Sequence, residues 1–144
     1  MFNSILVICV GNICRSPTGE RLLKKALPNK SISSAGLGAL VGKAADTQAC
    51  SVAEIHGTSL EGHIARQVNA RMCRESDLIL VMEKEHIEAI CKISPEVRGK
   101  VMLFGHWNQQ TEIPDPYKKS QEAFEFVYNL LDDSTKKWVK ALNC

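Results

Sequence analysis

Residues Ile5-Leu6-Val7-Ile8-Cys9-Val10 form an unbroken apolar run, rich in β-branched side chains and followed by turn formers. A strand covered on both faces has no polar side to alternate with, so this run predicts a buried parallel strand rather than a helix. Asp77-Leu78-Ile79-Leu80-Val81-Met82 repeats the pattern and is the best candidate for a central strand. Ser31-Ile32-Ser33-Ser34-Ala35, closed by Gly36, and Lys100-Val101-Met102-Leu103-Phe104 complete a set of four predicted strands.

Between these runs the apolar positions move to helical spacing. Over 17–27, Leu22, Leu23, Ala26 and Leu27 share one side while Glu20, Arg21, Lys24 and Lys25 mostly share the other, and Pro28-Asn29 ends the element. Asp46 is a fitting N-cap for a helix through Ile55 that stops at Gly57, and Asn69 starts a short one reaching about Arg74. Glu83 to Ile93 reads as a helix with Ile87, Ile90 and Cys91 inward, closed by Ser94-Pro95. Ser120 caps a final helix in which Ala123, Val127, Leu130, Leu131, Trp138 and Leu142 recur at helical spacing, with a candidate break at Asp132-Asp133. Residues 36–45, with three glycines and no period, and the polar stretch 105–119 read as loops. The alternation predicts a small doubly wound α/β fold: a four-stranded parallel sheet with helices on both faces, opening with a right-handed strand-helix-strand crossover. A chain of 144 residues suits a single domain over 1–144 that buries roughly 70% of its unfolded surface.

Composition narrows the function classes. A net charge of +2 gives no reason to expect nucleic acid or an anionic membrane as partner. No apolar run approaches the roughly 18 residues of a membrane span, and Met1-Phe2-Asn3-Ser4 enters the first strand without a basic segment and long apolar stretch. A cytoplasmic protein with no direct membrane insertion is expected. The six cysteines Cys9, Cys14, Cys50, Cys73, Cys91 and Cys144 are then expected as thiols. There is no CxxC pair, and His56, His63, His86 and His106 show no ligand-like spacing, so neither metal nor cofactor is expected.

The chemistry sits in Cys9-Val10-Gly11-Asn12-Ile13-Cys14-Arg15-Ser16, between the first strand and the first helix. With Ser16 as N-cap and Pro17 at the first helical position, the loop N–H groups and the unpaired donors of the helix start converge on one point, a phosphate-binding concavity. A helix N-terminus and a guanidinium favour the thiolate, the nucleophilic form of cysteine, and Arg15 presents a rigid fork to two phosphoryl oxygens. Alone, Cys9 reads as a buried structural thiol; the loop around it makes it a nucleophile candidate. A Walker A loop would need a Gly-Lys-Ser/Thr ending that is missing here.

The stretch Cys9-Val-Gly-Asn-Ile-Cys-Arg15-Ser16-Pro17 resembles the signature of low-molecular-weight protein tyrosine phosphatases. Ser34-Ala35-Gly36, Gly62-His63-Ile64-Ala65-Arg66-Gln67, the run Asp77–Met82 and Asp115-Pro116-Tyr117 join it, so the likeness runs from about residue 4 to the end. Within the family the chain is most similar to the bacterial branch that serves capsule and exopolysaccharide export opposite a tyrosine autokinase. The resemblance implies a phosphotyrosine protein as substrate, such an autokinase as partner and inorganic phosphate as product. It also implies that Val10, Gly11, Asn12, Ile13, Cys14 and Ser16 form the phosphate-binding loop, that Ser34 and His63 hold Asn12, and that Ser16 hydrogen-bonds the Cys9 thiolate. Tyr117 would form an aromatic wall, and 36–45 would be the other side of the entrance, carrying Leu37, Leu40 and Val41 where animal relatives tend to offer an aromatic. Glu83 stands where many relatives place aspartate. A histidine such as His63 equally suits a plain packing role. Asparagine is among the non-glycine residues that take positive φ at least cost, which fits a strained loop position.

Breaking a phosphate ester calls for an acid beside the leaving oxygen. Asp115 is the candidate: an Asp-Pro pair alone is usually a turn, but strand C-termini share one rim in a parallel sheet, and the loop after the fourth strand can reach Cys9. Cys9, Arg15 and Asp115 are thus the expected catalytic residues of a two-step, metal-free hydrolysis through phosphocysteine. Two alternatives are an arsenate reductase of the same fold, whose relay needs two further cysteines that Cys73 and Cys91 are too far apart in sequence to resemble, and a non-catalytic phosphotyrosine-binding module. A sugar-transport phosphocarrier would have no use for Asp115. Cys14 reads either as a small residue filling the loop or as a thiol near enough to Cys9 to trap its sulfenic acid as a disulfide.

Overall fold

The computed structural model describes residues 2–143; Cys144, counted among the thiols above, lies outside them. Strands β1 (Ser4–Cys9), β2 (Ser31–Gly36), β3 (Leu78–Val81) and β4 (Val101–Leu103) form one sheet in the order β2-β1-β3-β4, with every neighbouring pair parallel. Helices α1 (Arg15–Ala26), α2 (Thr47–Ile55) and α5 (Gln121–Leu142) cover one face, and α3 (Ala70–Glu75) and α4 (Lys84–Ile93) the other. Along β1, Ile5 and Val7 enter the first core while Leu6 and Ile8 enter the second. A strand with cores on both sides needs apolar residues at every position, which accounts for the unbroken run.

The expected caps are present: the Asp46 carboxylate accepts from the N–H groups of Gln48 and Ala49, the Asn69 side chain from Met72, and the Ser120 hydroxyl from Ala123. Three expectations need correction. Helix α1 begins at Arg15, with Cys14 at its N-cap making no side-chain bond, so Ser16 is not the cap and its hydroxyl is used elsewhere. In the same helix Glu20 is buried and Ala26 exposed, the reverse of the expected faces. Helix α5 continues unbroken through Asp132-Asp133, because Leu131, Ser134, Thr135 and Trp138 keep one buried face across the pair and Lys136 pairs with Asp132 at 3.2 Å.

Gly19 sets how closely α1 lies on the sheet: a Cβ there would sit 2.9 Å from the Phe104 ring. The Phe104 carbonyl in turn accepts from Trp138 Nε1 at 2.8 Å, tying α5 to the end of β4. No helix among the described residues is long and apolar enough to cross a membrane.

Candidate active site

The parallel sheet puts the C-terminal ends of all four strands on one rim, and β1 lies where the connections change direction across the sheet, the place such folds bind ligands. The backbone of the loop after β1 is tied to the scaffold through its carbonyls. Cys9 O accepts from Leu37 N, Val10 O from Gly38 N, Gly11 O from Leu40 N, Ile13 O from Asp46 N and Cys14 O from Thr18 N. The Asn12 carbonyl accepts from His63 Nε2 at 2.6 Å, which places a proton on that nitrogen. With the carbonyls turned outward to the scaffold, the N–H groups of Gly11, Asn12, Ile13 and Cys14 have no hydrogen-bond partner among the described residues and are left for an anion.

Asn12 is the pivot of the loop. Its φ is 58°, and every polar group on its side chain is used. Nδ2 donates to Ser16 Oγ at 2.7 Å and to Ser34 Oγ at 3.0 Å, and Oδ1 accepts from the Arg66 N–H at 2.9 Å. The Ser34 hydroxyl donates in turn to Glu20 Oε1 at 2.7 Å. Burial works against ionising Glu20, but Ser34, Lys24 and Arg21 outweigh it and hold the carboxyl below its ordinary range. Because Ser16 Oγ already accepts from Asn12, its proton is free for Cys9 Sγ, 2.9 Å away. One buried chain of hydrogen bonds therefore runs from a carboxylate on α1 to the sulfur. Gly36 lets the loop come this close to β2, since a Cβ there would lie 2.3 Å from Val10 O.

Arg15 is 2% exposed. Its Nη1 donates to Glu83 Oε2 at 2.6 Å and to the Ile113 carbonyl at 2.9 Å, while Nη2 lies 3.9 Å from Asp115 Oδ2. Glu83, with its longer stem, thus reaches the guanidinium. The Ile113 N–H is bonded to Met82 O at 2.9 Å, which pins the 105–119 loop beside β3 and carries Asp115 to the rim. Asp115 uses Oδ1 to accept from the Tyr117 N–H at 3.0 Å and turns Oδ2 towards Arg15, so a turn-forming role and a position at the site coexist in one carboxyl.

Cys9, Val10, Gly11, Ile13, Cys14, Arg15, Leu40, Asp115 and Tyr117 border one cavity of about 200 Å³. Asn12, Ser16, Ser34 and His63 lie behind the loop rather than in it. Of the three side chains expected on the opposite wall only Leu40 lines the cavity; Leu37 packs against the second core and Val41 points to solvent. Cys9 and Cys14 are free, without a disulfide, and burial together with Asp46, Cys9 and Asp115 pushes the Cys14 thiol far above its ordinary range despite Arg15. Cys73 is sealed in the second core and Cys91 is buried on α4, neither of them in the cavity.

Sequence reasoning gave no role to Glu20, Arg66, His86 or the Ile113 carbonyl. Only Glu20 left a local signal: it is one turn from Ser16, so the two share a helix face. His86 takes the Glu83 N–H on Nδ1 at 3.3 Å, and its Nε2 lies 3.7 Å from Glu83 Oε2. Glu83, Glu85 and His86 bring donor atoms within 4.8 Å of one another, but Glu83 is already committed to Arg15.

Comparison with known proteins shows the family and the fold. The low molecular weight protein-tyrosine-phosphatase Wzb of Salmonella typhimurium is 66% identical over 99% of this chain and 96% of its own length. The crystal structure of the Erwinia amylovora tyrosine phosphatase AmsI superposes with a TM-score of 0.97 at 64% identity, covering 98% of this chain and 93% of that one. That of Wzb from Escherichia coli K30 in complex with sulphate does so with a TM-score of 0.97 at 56% identity over 99% of both chains. The family profile described as low molecular weight phosphotyrosine protein phosphatase matches residues 4–144, and the chain belongs to that family.

Proposed function

We propose that this chain hydrolyses phosphotyrosine in proteins through a phosphocysteine, with Cys9 as nucleophile, Arg15 as phosphate clamp and Asp115 as general acid and base. The observation that carries the reading is a single cavity bordered by all three side chains and floored by N–H groups that the scaffold leaves unused. In the first step Cys9 sulfur bonds to phosphorus as the ester oxygen leaves, and protonated Asp115 gives its proton to that oxygen. In the second, Asp115 takes a proton from water, the water oxygen attacks phosphorus, and the sulfur departs with inorganic phosphate released. The loop N–H groups and the Arg15 fork stabilise the equatorial oxygens in both steps. Ser16 Oγ lies 2.9 Å from Cys9 Sγ, within reach to donate its hydroxyl hydrogen to the sulfur as it attacks and leaves.

An aryl ester fits the walls: Ile13, Leu40 and Tyr117 are apolar or aromatic, and a planar ring between them carries the phosphate down to the sulfur. Wzb from Escherichia coli K30 is described in complex with sulphate, a tetrahedral anion, which supports an anion-binding reading for this chain. The reading extends to a single-domain cytoplasmic enzyme whose substrate is a bacterial tyrosine autokinase controlling capsule or exopolysaccharide production, supported by the likeness to Wzb and AmsI. The burial of Cys73 and Cys91 away from the cavity speaks against an arsenate-reductase relay.

The test is turnover of p-nitrophenyl phosphate, matched phosphotyrosine and phosphoserine peptides, and arsenate with and without thioredoxin. Phosphotyrosine is expected to be hydrolysed in preference to phosphoserine, and arsenate not to be reduced. Cys9→Ser is expected to abolish turnover while calorimetry still detects phosphate binding. Residual turnover within about tenfold of wild type would remove Cys9 from its role.

A further inference from the structure

We propose that Lys118 forms a cationic lip on the cavity that selects phosphotyrosines with an acidic side chain, aspartate or glutamate, as sequence neighbour. This rests on the phosphatase reading above and narrows its substrate class. The starting observation is the backbone. The Lys119 N–H donates to Pro116 O at 2.8 Å, closing a four-residue turn in which Lys118 holds the third position with φ 62°. A turn of this type needs positive φ there, which glycine and asparagine adopt readily and a lysine side chain resists. A strained residue beside a functional cavity is grounds for asking what its side chain does.

What the conformation achieves is to set the Lys118 ammonium over the Tyr117 ring, 5.5 Å from its centre. Tyr117 borders the cavity, and Lys118, itself exposed, lies against that ring, which puts the cation beside the cavity's Tyr117 wall. The ring face restrains an otherwise mobile side chain and lowers the entropy lost when it meets an anion. Among the described residues no carboxylate pairs with Lys118. The nearest acid along the chain, Asp115, spends Oδ1 on the Tyr117 N–H and turns Oδ2 towards Arg15. Lys119 adds a second positive charge next to it. Val10 and Leu40 line the cavity without charge, with Val41 exposed beyond them, and Lys43, exposed on the same loop, is not part of the lining. A peptide whose phosphotyrosine ring enters between Tyr117 and Leu40 therefore meets the Lys118 ammonium on the Tyr117 side, and a neighbouring carboxylate passing that side finds a cation with no carboxylate partner among the described residues.

The experiment compares kcat/KM on matched phosphotyrosine peptides carrying glutamate or glutamine on either side of the phosphotyrosine, at low and at near-physiological salt. Wild type is expected to favour a glutamate peptide by about two- to fivefold at low salt, the size of one exposed ion pair, with the preference shrinking as salt screens it. K118G and K118N keep the turn unstrained and are expected to lower that ratio at least about twofold, and K118E to reverse it. An unchanged ratio in K118G overturns the proposal, as does a loss shared equally by both peptides, which would mark a damaged turn instead of a lost charge. If wild type hydrolyses neither peptide nor p-nitrophenyl phosphate, the phosphatase reading itself fails and the lip with it. Hydrolysis of both peptides without charge preference removes the lip alone.

Discussion

Glu83→Ala removes the anionic partner of a buried cation, and the structure allows its effect to be sized. Arg15 is 2% exposed and bonds Glu83 at 2.6 Å, with the Ile113 carbonyl at 2.9 Å and Asp115 at 3.9 Å as its other oxygen neighbours. Breaking a fully buried pair costs roughly 3–5 kcal/mol because a charge is left without compensation. Here the Glu83 side chain keeps 28% of its exposure and Arg15 keeps its other two neighbours, so about 2 kcal/mol is expected. For a chain of this length that corresponds to a melting temperature lower by about 4–8 °C, measured by thermal denaturation without phosphate. The same tether leaves Nη1 occupied and points the remaining donors of the fork at the cavity. Without it the guanidinium can swing, and a displacement of this kind is expected to reduce kcat/KM on p-nitrophenyl phosphate by about 10- to 100-fold. Glu83→Gln keeps an oxygen acceptor without the charge and is expected to fall between the two proteins in both measurements. A Glu83→Ala protein melting within about 1 °C of wild type, with kcat/KM within about twofold, would refute the idea that Glu83 positions Arg15.

Asp115→Asn is expected to lower kcat on aryl phosphates by roughly 10²- to 10⁴-fold, with a smaller defect for leaving groups of low pKa; a defect independent of the leaving group would assign Asp115 to its turn alone. Gly36→Ala is expected to destabilise the protein by about 1–3 kcal/mol and weaken phosphate binding, because its Cβ would meet Val10 O; urea titration and calorimetry measure the two effects, and an unperturbed protein would contradict the close approach. Burial, with help from Arg15, pushes the His86 imidazole below its ordinary 6.5, against the pull of Glu83, Glu85 and Glu112. The unfolded chain then takes up a proton that the folded one refuses, so stability falls as pH drops below about 6.5. Urea midpoints followed from about pH 7.5 to about pH 5.5 should decline less in His86→Gln than in wild type; equal slopes would exclude His86 as the source.

The elements and the nucleophile loop were legible because their signals are local. An apolar run such as Ile5–Val10, a cap such as Asp46 or Asn69, and the spacing of Cys9 and Arg15 each lie within one strand, one turn or one loop, where chain geometry alone relates the residues. What stayed hidden depends on partners far along the chain. Glu20 looked like a solvent residue because it shares a helix with Arg21 and Lys24; it is buried because β2 runs beside α1 and brings Ser34 against it. Glu83 reaches Arg15 across 68 positions and Ile113 reaches it across 98, contacts that no periodicity encodes. The apparent break at Asp132-Asp133 vanished because burial on both sides of the pair outweighs two adjacent acids.

The amino-acid sequence by itself determined that four strands would alternate with helices, that the first, an unbroken apolar run, would be buried on both faces and end in an anion-binding loop, and that this loop would carry a thiol and a guanidinium. Tertiary structure decided which way everything around that loop faces. The order β2-β1-β3-β4 brings four strand ends to one rim, turns the loop carbonyls outward onto neighbours from residue 18 to residue 63, and aims the Arg15 fork by two oxygens from beyond β3. The physical reason is that a hydrogen bond or ion pair is satisfied by distance in space, whereas hydrophobic pattern and capping record only distance along the chain.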